Sequence, residues 1–106
     1  MNSRLEKALS ELQNILKLTY RKKLHKIMLY GSQARGDAEK ESDIDVLVIL
    51  NGHVHPGKEI ARMSQYTSEI SLKYDVVLSC FYLSRERYLS ENTPLVINMR
   101  REGVAL

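Results

Sequence analysis

The amino-acid sequence predicts an α/β domain with a small mixed β-sheet flanked by helices. Apolar residues recur at helical spacing near the N-terminus and again in residues 58–73, whereas three short apolar runs read as strands. Strands that alternate with helices are typical of this fold class. Because a chain of 106 residues can bury one core but not two, we expect residues 1–106 to form a single domain.

The first half of the chain predicts two helices and two strands. Ser3 is a candidate N-cap, and an amphipathic helix follows it. Residues 27–30 form a short apolar run that suits a buried strand ending at Gly31, and the polar stretch 32–42 has room for a short helix. Residues 43–50 predict a second strand, apolar on both faces beyond Asp45, which indicates a central position in the sheet.

The second half predicts a long helix at 58–73 and a third strand at 75–82. Ser84 can cap a short helical turn, and Thr93 followed by Pro94 can start a last helix that Gly103 ends. A strand–helix–strand crossover makes neighbouring strands parallel, so we expect the second and third strands to be parallel. We predict that the first strand is antiparallel to the second.

Composition excludes several classes of function. The net charge of +3 is too small to indicate nucleic-acid binding by itself, and we do not expect direct binding. The single cysteine, Cys80, excludes an internal disulfide and a cysteine-based zinc cluster. His53 and His55 have no further ligand nearby, so we read them as a solvated loop. The longest apolar run, 46–50, cannot span a membrane, and we expect a soluble cytoplasmic protein.

Three aspartates are the candidate metal ligands. Asp43 and Asp45 point to the same face of the second strand because strand side chains alternate. Like charges this close repel each other unless a cation or a proton lies between them, and Mg²⁺ prefers oxygen ligands. Asp75 opens the predicted third strand, and parallel neighbours bring their N-terminal ends to the same sheet edge. We therefore expect Asp43, Asp45 and Asp75 to converge on a metal site.

Gly31 and Ser32 are the candidate phosphate-binding turn. If the first strand is antiparallel to the second, its C-terminal end lies at the same edge as the aspartates. Gly31 would then allow close backbone approach, and the amides after it would open a short helix whose N-terminus favours an anion. A phosphate-binding turn beside carboxylates describes a site for a nucleoside triphosphate.

These residues carry a family resemblance. Gly31-Ser32, ten intervening residues, then Asp43-Ile44-Asp45 resembles the G-S-x(10)-D-x-D signature of the DNA polymerase β-like nucleotidyltransferase superfamily. The longer string from Gly31 to Gly36, with Ser42 before the aspartates, resembles its minimal nucleotidyltransferase (MNT) branch, whose members are often antitoxins. The resemblance implies the nucleotidyltransferase fold. It covers residues 24–82 and the stretch 97–104.

The resemblance implies roles for six residues. Asp43 and Asp45 would ligate two Mg²⁺ ions with Asp75 as the third carboxylate, and all three would be catalytic. Gly31 and Ser32 would hold the phosphates of ATP. Arg35 is a further candidate for nucleotide binding, although it can equally be a surface residue of the short helix.

The resemblance also implies a partner and a reaction. MNT antitoxins of this kind transfer AMP from ATP to a tyrosine of a HEPN-type toxin, which is a type VII-like toxin–antitoxin pair. Two alternatives stay open: a non-catalytic antitoxin that neutralises the toxin by binding it, and a small-molecule nucleotidyltransferase that uses a separate acceptor-binding subunit. The chain has no room for an acceptor-binding domain, which favours an acceptor on another chain.

Overall fold

In a computed structural model of the chain, five helices and four short strands cover most of residues 3–35 and 43–106, which are the residues that the structure describes. The elements in chain order are α1 (Ser3–Tyr20), a 3₁₀ turn (Arg21–Lys23), β1 (Leu24–Tyr30), α2 (Ser32–Arg35), β2 (Ile44–Leu50), α3 (Pro56–Tyr74), β3 (Leu78–Ser84), α4 (Arg85–Ser90), α5 (Pro94–Glu102) and β4 (Val104–Ala105). For Ser32 and Arg35 only the backbone is described.

The described strands form one mixed sheet in the order β3-β2-β1-β4. β1 is antiparallel to β2 and to β4, and β2 is parallel to β3. The predicted α/β class and the predicted strand directions are therefore confirmed. β4 was not predicted, because two residues at the end of a chain give too short a pattern to identify.

The sheet has a separate apolar core on each of its faces, and β2 contributes to both. Ile44 and Val46 face α1 and α3, where they pack with Leu12 and Met63. Leu47 faces the other way, toward α4 and α5. Burial on both faces gives β2 its nearly continuous apolar sequence, as expected for a central strand.

The two short helices after β3 begin as the sequence predicts. The Ser84 hydroxyl accepts a hydrogen bond from the Arg87 amide at the start of α4, and the Thr93 hydroxyl accepts one from the Val96 amide at the start of α5. Each cap satisfies an amide that the first helical turn leaves without a partner. Among the described residues, no helix has the length and apolar character to cross a membrane.

The predicted start of β3 was wrong. The strand begins at Leu78 and not at Asp75, because α3 continues to Tyr74 and Asp75 is its C-cap. Asp75 has a left-handed backbone with φ 53°, a conformation that Asp tolerates better than most residues. The chain then needs Val76 and Val77 to cross from the helix to the sheet.

Candidate functional site

The turn after β1 lies directly against the start of β2. Gly31 has φ 75°, which lets the chain turn from β1 into α2. A Cβ atom on Gly31 would lie 2.6 Å from Asp45 Oδ2, so any side chain at this position would collide with the carboxylate. The backbone angle favours glycine, and a side chain at this position would also have to displace the Asp45 carboxylate from its present place. The structure thus brings the Gly31 turn and Asp45 together.

Asp43 and Asp45 lie at the N-terminal end of β2. Asp43 is exposed, whereas Asp45 is half-buried and pairs in register with Tyr30 of β1. Burial raises the pKa of Asp45, and the negative charge of Asp43 raises it further. Burial also raises the pKa of Tyr30 to about 12, with a smaller contribution from Asp45. The two carboxylates therefore bring negative charge to this edge of the sheet.

Two residues predicted to bind the nucleotide, Ser32 and Arg35, are described only in their backbone. The backbone of Ser32 and Arg35 forms α2, which packs against β1 and β2. Their side chains are not described, so their contacts with phosphate stay predictions. Residues 36–42, which belong to the predicted signature spacing, lie outside the described residues.

Asp75 does not join the other two aspartates. Its side chain is 98% exposed and forms an ion pair with Arg4 of α1, with 3.7 Å between Asp75 Oδ2 and Arg4 Nη1. No three His, Cys, Asp or Glu side chains in the described part of the chain are grouped closely enough to hold a metal ion. The predicted convergence of three carboxylates was therefore wrong. Its physical reason is the helix cap, which places Asp75 before the strand.

The residue of β3 that does face Asp45 is Ser79. The two are paired in the parallel register, so their side chains project from the same face of the sheet. Phe81 follows on that face, and its ring packs edge-on against Tyr30 with 5.8 Å between the centroids. Sequence reasoning missed Tyr30, Ser79 and Phe81, because only the strand register shows which residues lie beside an aspartate.

The arrangement suits a divalent cation that is shared with a phosphorylated ligand. Mg²⁺ is commonly held by one or two carboxylates together with substrate phosphates, so Asp43 and Asp45 are enough on the protein side. Burial, and to a smaller extent the charge of Asp43, raises the pKa of Asp45, and a bound cation would favour the charged carboxylate against both effects. The donor set therefore fits Mg²⁺ with a nucleotide bound.

Solved structures share this fold. A toxin–antitoxin structure with AMP-PNP superposes with a TM-score of 0.64 over 91% of this chain and 69% of that chain, at 22% identity. The MntA–HpeT toxin–antitoxin pair, in a doubly substituted form, superposes with a TM-score of 0.59 over 90% and 70% of the two chains, at 21% identity. At these identities the likeness shows that the fold is the same.

Sequence comparison identifies the family. A protein of Methanocaldococcus jannaschii, named provisionally as a protein adenylyltransferase, is 40% identical over 102 residues, which cover 95% of this chain and 96% of that protein. The profile of the nucleotidyltransferase domain matches residues 4–104. With Gly31 packed on Asp45 at the edge of a mixed sheet, this chain belongs to the nucleotidyltransferase domain family.

Proposed function

We propose that this chain is a Mg²⁺-dependent protein adenylyltransferase that transfers AMP from ATP to a tyrosine of a HEPN-type toxin, and so acts as its antitoxin. The observation that carries the proposal is the contact between Gly31 and the Asp45 carboxylate. It joins a turn suited to phosphate with a carboxylate suited to a metal. The proposal includes action as one domain, in the cytoplasm, without direct nucleic-acid binding.

In the proposed site, Asp43 and Asp45 would hold two Mg²⁺ ions, and the Gly31 turn would hold the β- and γ-phosphates, with Ser32 and Arg35 as further phosphate contacts. Such ions would neutralise charge on the triphosphate and lower the pKa of the attacking hydroxyl. Gly31 keeps this part of the site open, because any side chain there would occupy the space in front of Asp45.

The proposed reaction is an AMP transfer. The phenol oxygen of the acceptor bonds to the α-phosphorus, and the bond from that phosphorus to the oxygen bridging to the β-phosphate breaks. Pyrophosphate leaves with the bridging oxygen, and the phenol proton goes to solvent. Because Asp75 lies apart from the pair, the proposed mechanism uses two carboxylates, and Ser79 occupies the place beside Asp45 on β3.

Two similarities support a protein acceptor and a toxin partner. The relative that is 40% identical is named as a protein adenylyltransferase, and it matches this chain over nearly its whole length. The two solved structures described above are toxin–antitoxin structures, and one of them contains the ATP analogue AMP-PNP. The second neighbour carries substitutions at two aspartates two positions apart, the spacing of Asp43 and Asp45.

A transfer assay tests the proposal. The chain is incubated with Mg²⁺, ATP and the partner protein, taken as the product of the reading frame beside its own, and the partner is analysed by intact and peptide mass spectrometry. We expect the mass of AMP on a tyrosine of the partner and none when EDTA is added. Asp43→Asn and Asp45→Asn should abolish the modification while the complex still forms.

Two outcomes would contradict the proposal. If the partner stays unmodified although the complex forms, and the Asp43→Asn, Asp45→Asn double variant protects cells from the toxin as well as the parent does, the chain is a non-catalytic antitoxin. If AMP instead appears on a small hydroxylated molecule, such as an aminoglycoside, the acceptor is not a protein.

A further inference from the structure

One edge of the sheet is long and open. β3 is the terminal strand at this edge. One hydrogen bond shows which of its residues bond to β2 and which point outward: the Ile44 amide donates to the Val77 carbonyl at 2.8 Å. In a parallel ladder, alternate residues turn both backbone groups to the same neighbour. Ser79 and Phe81 therefore face β2, whereas Cys80 and Tyr82 direct their backbone N–H and C=O groups outward.

A hydrogen bond at the start of β3 agrees with this alternation of inward and outward backbone groups. The outward Leu78 amide is satisfied by the Ser71 hydroxyl at 3.2 Å. Beyond it, no backbone partner for Cys80 or Tyr82 on the outer side is found among residues 3–35 and 43–106. A second strand can therefore pair with this edge without displacing any described hydrogen bond.

The open edge forms the floor of an apolar groove. A cavity of about 240 Å³ runs along it, between α3 on one side and α5 on the other. Ile60 of α3 and Leu95 of α5 line the two sides and are 53% and 54% exposed. Phe81 and Leu83 line the floor. We call this region the β3 groove.

The edge lacks the devices that usually prevent strand pairing. Residues 78–84 contain no charged side chain and no proline, which are the common protections of an exposed edge. An extended peptide in the β3 groove would gain main-chain hydrogen bonds from the edge and apolar contacts for alternate side chains. The groove, whose mainly apolar lining also includes Arg87 and Glu91, therefore fits an extended polypeptide.

The groove leads to the candidate site. Leu47 lines its near end and lies two residues after Asp45 on the same face of β2, a separation of about 7 Å. A strand added beyond β3 would lie two strand spacings, or about 10 Å, from β2. A tyrosine side chain and the α-phosphate between them can span that distance.

We propose that the β3 groove binds the acceptor polypeptide as an extended segment that adds a strand to the sheet, with its tyrosine at the end nearest Asp45. This inference rests on the proposed function, because it assigns the acceptor-binding surface of that same site. Continuity with the carboxylate pair favours the acceptor as the occupant over a second copy of the chain.

Amide hydrogen exchange measured by NMR tests strand addition directly. The chain is loaded with Mg²⁺ and α,β-methylene ATP, which cannot transfer AMP, and compared with and without the partner protein. We expect the Cys80 and Tyr82 amides to exchange at least about ten-fold more slowly in the complex. The Ser79 and Phe81 amides, already bonded to β2, serve as the internal control and should change little.

Matched substitutions test the groove by kinetics. Ile60→Lys places a charge in the groove, whereas Leu72→Lys changes an equally apolar residue of the same helix that is 84% exposed and does not line the groove. We expect Ile60→Lys to raise the KM for the partner at least about ten-fold while the affinity for Mg²⁺ and the ATP analogue stays unchanged. Leu72→Lys should leave both at the parent values.

Several results would overturn the inference. Complex formation without slower exchange at Cys80 and Tyr82 would place the acceptor elsewhere. Failure of the partner to bind at all would contradict the proposed function, on which this inference rests. A dimer in solution, with these amides already protected in the free chain, would make a second copy the occupant. Loss of nucleotide affinity in Ile60→Lys would assign the groove to the nucleotide. The exchange measurement does not depend on AMP transfer. Protected amides in a complex that transfers no AMP would contradict the proposed function but not the binding surface, whereas AMP transfer without protected amides would contradict the binding surface alone.

Discussion

The two faces of the sheet are built from the same strands, but one face is a closed core and the other carries the candidate site. On the face toward α1 and α3 the core is closed, and even its polar groups are paired: the Tyr20 hydroxyl donates to Glu59 Oε1 at 2.9 Å, and Arg62 lies 3.3 Å from the same oxygen. On the opposite face α4 and α5 cover Leu47 and Ile49, whereas Phe81 is 41% exposed. At the candidate-site end of this face lies Asp45, whose pKa is raised by burial and by the charge of Asp43.

Neighbouring residues of β2 show how sharp the division is. Asp45 and Val46 are adjacent in sequence, yet Val46 is fully buried in the core with α1 while Asp45 lies at the candidate site. Alternation of strand side chains allows one strand to carry both roles. Stability and activity should therefore separate when residues of opposite faces are changed.

The largest effects are expected from alanine substitutions at these two positions. Val46→Ala should lower the free energy of unfolding by about 2–3 kcal/mol because it leaves a cavity in a closed core, with AMP transfer retained at permissive temperature. Asp45→Ala should reduce the transfer rate at least about hundred-fold. Urea unfolding and the transfer assay measure the two quantities on the same samples.

The pH dependence of stability sharpens this prediction. Since the pKa of Asp45 is raised in the folded chain, the folded state binds more protons than the unfolded state in acid, and the charged group opposes folding at neutral pH. In EDTA, Asp45→Ala should be at least as stable as the parent at pH 7. That advantage should shrink as the pH falls through the raised pKa of Asp45. A variant that is less stable than the parent at pH 7 would contradict this account.

The next largest effect on stability is expected from alanine substitutions at two glycines. Gly31 and Gly52 both have positive φ, 75° and 82°, but a Cβ at Gly31 would meet Asp45 whereas one at Gly52 would meet nothing within 4 Å. Gly52→Ala should cost about 1–2 kcal/mol of stability for the backbone angle alone. Gly31→Ala should cost more and also lower nucleotide affinity. Thermal unfolding and calorimetric titration compare the two, and equal losses would show that the contact with Asp45 is unimportant.

A smaller effect is expected in the closed core. Tyr20→Phe removes the hydroxyl that donates to the buried carboxylate of Glu59, so it should lower the free energy of unfolding by about 1–2 kcal/mol. Tyr66→Phe is the control, because Tyr66 is exposed on α3. Neither change should alter the transfer rate per folded molecule. A loss of transfer in Tyr20→Phe would show that the two faces are coupled.

The smallest expected effect is a gain. Ser79→Asp places a third carboxylate beside Asp45, the role that Asp75 was predicted to fill. A third oxygen ligand should tighten Mg²⁺ binding by about three- to ten-fold. Calorimetry in the presence of α,β-methylene ATP measures the change, with Ser79→Asn as the uncharged control. An unchanged affinity would show that Ser79 lies too far from the metal.

Most of the fold could be predicted because its signals are local. Apolar periodicity located the helices and strands, and the crossover helix α3 set the parallel direction of β2 and β3. The contact between Gly31 and Asp45 could also be anticipated, because an antiparallel β1 must end where β2 begins. The position of Asp75 could not, because a residue that ends a helix and one that begins a strand look alike in a sequence.

The sequence by itself determined the α/β class, the central position of β2 and the pairing of a glycine turn with two aspartates, since each depends on spacing along the chain. Only the tertiary structure decided which residues stand beside those aspartates. Register across strands places Ser79 and Tyr30 next to Asp45, the cap of α3 holds Asp75 near Arg4, and packing of α3 and α5 leaves the β3 groove open. These are contacts between distant segments, whose geometry depends on how the whole sheet is packed.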